Sequence, residues 1–140
     1  MKNNILQKKK EFRKKQLNIR ENLYYSVLEV FNEYLFEQLI SKFNFEDIKI
    51  VSSFISIHTE INTYQLNSYL LKKNKTLCLP VIVNKNDHLV FRKFIKGQNM
   101  IDGYMKIKEP PNTNEILIPD LLFVPCLAYD RFGYRLGYGG

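Results

Sequence analysis

The stretch IKIVSSFISI-HTE-INTYQLNSYLLKK-NK-TLCLPVIV, Ile48 to Val83, decides the fold. Ile48 to Ile57 is rich in β-branched residues and short enough to be a buried strand. Thr59 is placed to cap a helix over Ile61 to Lys73, and Thr76 to Val83 is a second Leu/Val/Ile run. A strand, a helix of about a dozen residues and another strand form a βαβ unit with a right-handed crossover and parallel strands. Working outward, Asn84 to Asp87 reads as a turn before the alternating LVFRKF of Leu89 to Phe94. Pro110-Pro111 and Asn112 to Asn114 mark a loop, and LLFVP, Leu121 to Pro125, reads as a further central strand. On the N-terminal side, Ile5, Phe12, Ile19 and Leu23 recur as one helical stripe, and a second helical pattern runs from about Tyr24 to Phe43. The expected architecture is α/β, a Rossmann-like three-layer α/β/α sandwich with a mainly parallel sheet.

Composition bounds the rest. At 140 residues, 45% hydrophobic and 25% charged, the chain is expected to be a single domain, residues 1–140, and a disordered or collagen-like protein is excluded. The net charge of +7 has one origin: residues 1–20 hold eight cations and one anion, while the remaining 13 cations and 13 anions cancel. Such a localised excess suits a local anionic partner better than a surface built to wrap nucleic acid. Cys78 and Cys126 sit in apolar runs, as buried thiols do, and no disulfide framework is indicated. No apolar run reaches the roughly 20 residues of a membrane span, and the charged start does not resemble a secretory signal. A cytoplasmic protein is the simplest expectation.

Ligands of open parallel sheets bind beyond the carboxyl ends of the strands. Glu60 stands there, between strand exit and helix entrance. It either complements the dipole of the helix or accepts hydrogen bonds from a polar ligand, with Thr63 setting the turn. After the last strand run, four of the six glycines fall within the final eight residues, Gly133 to Gly140, interleaved with Tyr134, Arg135, Leu136 and Tyr138. Glycines so placed let backbone N–H groups close on phosphate oxygens, and Arg135 adds a fork of donors. On a wheel of about 100° per residue, Lys9 and Arg13 border the Ile5/Phe12/Ile19/Leu23 stripe, from which they can reach into a cleft. Lys10 and Lys14 point nearly opposite, toward solvent. His58 and His88 lack partners at metal-ligand spacing, and neither a Ser-His-Asp nor a Cys-His signature is present.

Together these segments resemble the 5-formyltetrahydrofolate cyclo-ligase family, the methenyltetrahydrofolate synthetases. The resemblance runs through Lys9-Lys10-Glu11-Phe12-Arg13, Glu60-Ile61-Asn62-Thr63, Leu79-Pro80, Ile107-Lys108-Glu109-Pro110, Val124-Pro125, Ala128-Tyr129-Asp130 and Gly133 to Gly140. It implies a ligase of one-carbon metabolism that uses magnesium and ATP to turn 5-formyltetrahydrofolate into 5,10-methenyltetrahydrofolate, releasing ADP and phosphate. The formyl oxygen attacks the γ-phosphoryl group, N10 attacks the activated carbon, and phosphate leaves as the ring closes. By resemblance, Lys9, Lys10, Glu11, Phe12 and Arg13 line the ATP phosphates, and Arg135, Leu136, Gly137, Tyr138, Gly139 and Gly140 complete the cradle, with Arg135 catalytic. Ile55, Glu60, Tyr138, Gly139 and Gly140 would contact the folate. The expected partners are these small molecules, with no nucleic acid, no membrane and a monomeric state.

Family members continue beyond these glycines with an aspartate expected to bind magnesium, so no residue of this chain is assigned to the metal. The sequence then reads as a larger domain cut within its phosphate loop. Two alternatives follow, an inactive family member that retains only nucleotide or folate binding, and a nucleic-acid binder working through the basic helix.

Overall fold

The computed structural model describes residues 2–27, 33–42, 44–84 and 87–137. The chain divides into two compact units, Val30–Val124 and a second made of Met1–Glu29 with Pro125–Gly140.

The larger unit is a mixed α/β structure. It contains α2 (Glu33–Ile40), β1 (Ile50–Ser52), α3 (Tyr64–Lys72), β2 (Thr76–Val81), β3 (Val90–Lys93), β4 (Ile101–Asp102), β5 (Lys108–Glu109), β6 (Ile116–Leu117) and β7 (Leu121–Leu122). The five-stranded sheet has the order β6-β3-β2-β1-β7, and β4 pairs with β5 as a separate hairpin. β1 runs parallel to β2, with Val51 opposite Leu77, and parallel to β7, with Val51 opposite Leu121. β3 and β6 continue the sheet antiparallel. The expected βαβ unit is therefore present, and this parallel centre is compatible with the Rossmann-like sandwich class.

Strand boundaries are shorter than the apolar runs. The run from Ile48 to Ile57 forms a ladder only over Ile50–Ser52, because the backbone beyond it is claimed by side chains: Thr63 Oγ1 donates to Phe54 O at 2.6 Å. Helix α3 starts at Tyr64 with Thr63 at the N-cap, so Thr59 is not its cap. The LLFVP run gives a two-residue strand at the sheet edge, not a central one among the described residues. Part of the expected Asn84 to Asp87 turn, residues 85 and 86, lies outside the described residues.

Phe36, Ile40, Val51, Leu66, Tyr69, Leu70 and Leu77 form the core, drawn from α2, β1, α3 and β2. On α3 the buried positions Leu66, Tyr69 and Leu70 are spaced three and one apart, which puts them on one helical face toward the sheet. Cys78 is fully buried in β2, and burial pushes the pKa of its thiol up to about 11. That thiol is a packing group, as its apolar run suggests.

The start of β1 is fixed by a residue 70 positions away. Asp120 accepts hydrogen bonds from Ile50 N at 2.8 Å and Lys49 N at 2.9 Å, and these hold its carboxyl below the usual range. A carboxyl depressed by folding stabilises above its unfolded pKa of about 3.9, and the gain is lost as pH falls through the folded value. The melting temperature of Asp120→Ala should therefore lie below that of the wild type near neutrality, with the gap closing on acidification below about pH 4. Leu70→Ala, at a site with no exposed surface, should cost about 3 kcal/mol in urea titration.

Candidate functional site

In the smaller unit α1 (Lys2–Val27) is joined by the hairpin β8 (Ala128–Tyr129) and β9 (Arg135–Leu136). The hairpin turn is built by Asp130, whose Oδ1 accepts from Phe132 N at 2.9 Å and Tyr134 N at 3.0 Å. Gly133 completes it with φ +86°, a left-handed conformation that favours glycine. Of the clustered glycines, Gly133 thus serves the turn. Gly137 differs in its ordinary φ, and at both glycines a Cβ would meet nothing within 4 Å, so the backbone there is open to approach.

Arg13 reaches this segment. Its Nε donates to Gly137 O at 3.0 Å, fastening the glycine segment to the basic helix across 124 residues of sequence. Of the other residues expected around phosphates, Lys9, Lys10, Glu11, Phe12 and Arg135 are exposed and Leu136 is half-buried. Glu11 is engaged locally, accepting from Gln7 Nε2 at 2.8 Å. Tyr138, Gly139 and Gly140 lie outside the described residues.

The face that α1 shields is not the expected one. Ile5, Phe12, Ile19 and Leu23 are 55%, 47%, 42% and 51% exposed, whereas Arg13, Gln16, Leu17, Arg20 and Tyr24 are half-buried. On the same wheel those five centre about 90° away from Phe12, so Arg13 stands on the sheltered face and not at its border. Long Arg and Tyr side chains can cover a face with their stems while their polar ends find partners.

In the larger unit Glu60 stands where β1 exits toward α3, and it is only 5% exposed. Its backbone and side chain both clasp Ile57: Glu60 N donates to Ile57 O at 3.0 Å, and Glu60 Oε2 accepts from Ile57 N at 2.9 Å. Glu60 Oε1 has no partner among the described residues and is not among the polar atoms shut away from solvent. A nearly buried carboxylate with one satisfied and one open oxygen is arranged to accept a hydrogen bond from a ligand. Ile55, half-buried, lies on the same loop.

The Glu109-Pro110 motif is structural here. Arg92 Nη1 donates to Pro110 O at 3.1 Å and lies 3.4 Å from Glu109 Oε1. A side chain at Gly103 would run into the Glu109 carboxylate and require that side chain to shift. Ser56 is the residue that sequence reasoning missed, and Asp130 is read there only as part of the resemblance and not as the builder of a turn. Asp130-x-x-Gly133 carries a legible turn signature, whereas Ser56 is hidden within an apolar run.

A mixed α/β fold with a parallel centre, β1 flanked by β2 and β7, places the protein in the Rossmann-like class. The family model described as the 5-formyltetrahydrofolate cyclo-ligase family matches residues 5–140, and the chain belongs to that family. It is 28% identical over 139 residues to the 5-formyltetrahydrofolate cyclo-ligase of Haemophilus influenzae, covering 96% of this chain and 74% of that one. It is 30% identical over 95 residues to that of Escherichia coli K12, covering 64% of this chain and 52% of the relative. The chain thus spans about half the length of the Escherichia coli relative. The structure of Aquifex aeolicus 5,10-methenyltetrahydrofolate synthetase superposes with a TM-score of 0.77 at 30% identity, covering 94% of this chain and 68% of that chain.

If Asp130 builds the hairpin that carries Arg135 and Gly137, Asp130→Ala should speed amide exchange at Phe132 and Tyr134 by at least tenfold. Exchange in α3 should be unchanged.

Proposed function

We propose that the chain carries out the ATP-dependent conversion of 5-formyltetrahydrofolate to 5,10-methenyltetrahydrofolate, releasing ADP and phosphate. The observation that carries this reading is Glu60, a nearly buried carboxylate with one oxygen pinned to Ile57 N and the other open. Such a group suits the N–H donors on the edge of a reduced pterin. Ile55 offers apolar surface on the same loop.

Arg13, Arg135 and Lys9 are the cations offered to the triphosphate, and the backbone around Gly137, with Tyr138, Gly139 and Gly140, is the segment that closes on it. Transfer of the γ-phosphoryl group to the formyl oxygen needs placement and charge neutralisation more than a protein nucleophile. Arg135, whose long side chain extends from an exposed strand position and can follow the transferring group, is assigned the catalytic part. Arg13, already held by Gly137 O, keeps the segment on the helix.

Magnesium would accompany ATP in this reaction. Among the described residues no three His, Cys, Asp or Glu side chains gather into a ready-made metal cage, so the triphosphate oxygens and water would supply most of the ion's ligands. No helix of the described residues is long and apolar enough to cross a membrane.

Mixing the protein with 5-formyltetrahydrofolate and magnesium-ATP should produce the absorbance of the methenyl product. Arg135→Ala should lower kcat about a hundredfold, the scale for losing one donor to developing charge. Glu60→Ala should raise KM for the folate and leave KM for ATP within about twofold. Binding of both ligands, seen as a rise in melting temperature without turnover, would instead identify a family member that binds but does not catalyse.

A further inference from the structure

We propose that Ser56 and Thr63 are positioning residues for Glu60, a pair of hydroxyls that hold its carboxylate in the ligand-accepting pose and thereby set affinity for the folate. The inference rests on the reading of Glu60 as the pterin-binding carboxylate.

The loop between β1 and α3 is closed by these two side chains. Ser56 Oγ donates to Ile61 O at 2.5 Å and accepts from Thr63 N at 3.0 Å. Thr63 Oγ1 donates to Phe54 O at 2.6 Å and lies 3.2 Å from Ser56 Oγ. Each hydroxyl has one proton, and both protons go to backbone carbonyls, so the bonds link residue 54 to 63 and 56 to 61. They bracket the turn from Ile57 to Glu60 on both sides.

That turn needs holding. His58 within it has φ 50°, a left-handed conformation that is unfavourable for a non-glycine residue and persists only when its surroundings fix it. The left-handed residue brings the chain back on itself so that Glu60 meets Ile57 twice, once through its amide and once through its carboxylate. Released, the carboxylate would be free to swing and satisfy both oxygens in water.

Thr63 also departs from the local rule for its position. It occupies the N-cap of α3 yet makes no side-chain capping bond, while Tyr64 N is served by Asn62 Oδ1 at 2.8 Å. A threonine at an N-cap ordinarily spends its oxygen on the helix. Here the hydroxyl proton goes to Phe54 O, on the far side of the loop, and Thr63 is only 5% exposed. Departures of this kind concentrate at functional sites.

The test compares Thr63→Val, Thr63→Ser, Ser56→Ala and Glu60→Ala in the full chain, by titration with 5-formyltetrahydrofolate and separately with ATP, and by amide exchange. Thr63→Val and Ser56→Ala should each raise the Kd for the folate about tenfold while leaving that for ATP within twofold, and should remove protection at the Ile57 and Glu60 amides. Thr63→Ser should restore wild-type affinity. A purely structural role would weaken both ligands alike or neither. If Glu60→Ala weakens folate binding but Thr63→Val and Ser56→Ala, shown folded by circular dichroism, do not, the positioning role is wrong and the Glu60 site stands. If Glu60→Ala leaves folate affinity unchanged, the Glu60 site falls and the positioning role with it. Should Thr63→Val fail to fold, Ser56→Ala decides between these outcomes through the two bonds that Ser56 makes.

Discussion

The parallel pairing of β1 with β2 places Val51 against Leu77 with neither side chain exposed, and the larger unit is organised around that contact. Parallel strands cannot be joined by a tight turn, so the chain must leave the end of β1, cross over through α3 and return. The crossover fixes where Ser53 to Thr63 emerge, and Leu66, Tyr69 and Leu70 on α3 seal it against the sheet. Glu60 owes its burial to this geometry. A carboxylate drawn so far out of water is retained where backbone N–H groups and a ligand replace the lost hydration.

The smaller unit rests on a different principle, a long-range bond between a cation and a carbonyl. Arg13 holds the glycine segment through Gly137 O, and Asp130 with Gly133 shapes the hairpin that presents it. Each bond is modest alone. Together they order a stretch rich in glycine, whose backbone entropy would otherwise oppose a fixed conformation.

Legibility followed the range of the interactions. The βαβ unit, the buried thiol of Cys78 and the strand-exit position of Glu60 were all readable, because apolar period and residue type within a dozen positions encode them. The length of β1 was overestimated where Thr63 claims Phe54 O, since an apolar run does not reveal which carbonyls a nearby hydroxyl will claim. The edge position of β7 was not legible either. An apolar run of five residues reads the same at the centre of a sheet and at its edge.

The sequence by itself determined that a strand, a helix and a strand succeed one another between Ile48 and Val83, that β1 and β2 are parallel, and that an acid, a basic helix and a glycine segment are available for chemistry. Only the tertiary structure decided that α1 shelters the Arg13, Gln16, Leu17, Arg20 and Tyr24 face while leaving Ile5, Phe12, Ile19 and Leu23 exposed. It also decided that Arg13 grips Gly137 and that Ser56 and Thr63 close the loop around Glu60. The reason is physical. Periodicity states that a helix has an apolar face, but which face is covered depends on what the rest of the chain brings to it, and that lies more than a hundred residues away.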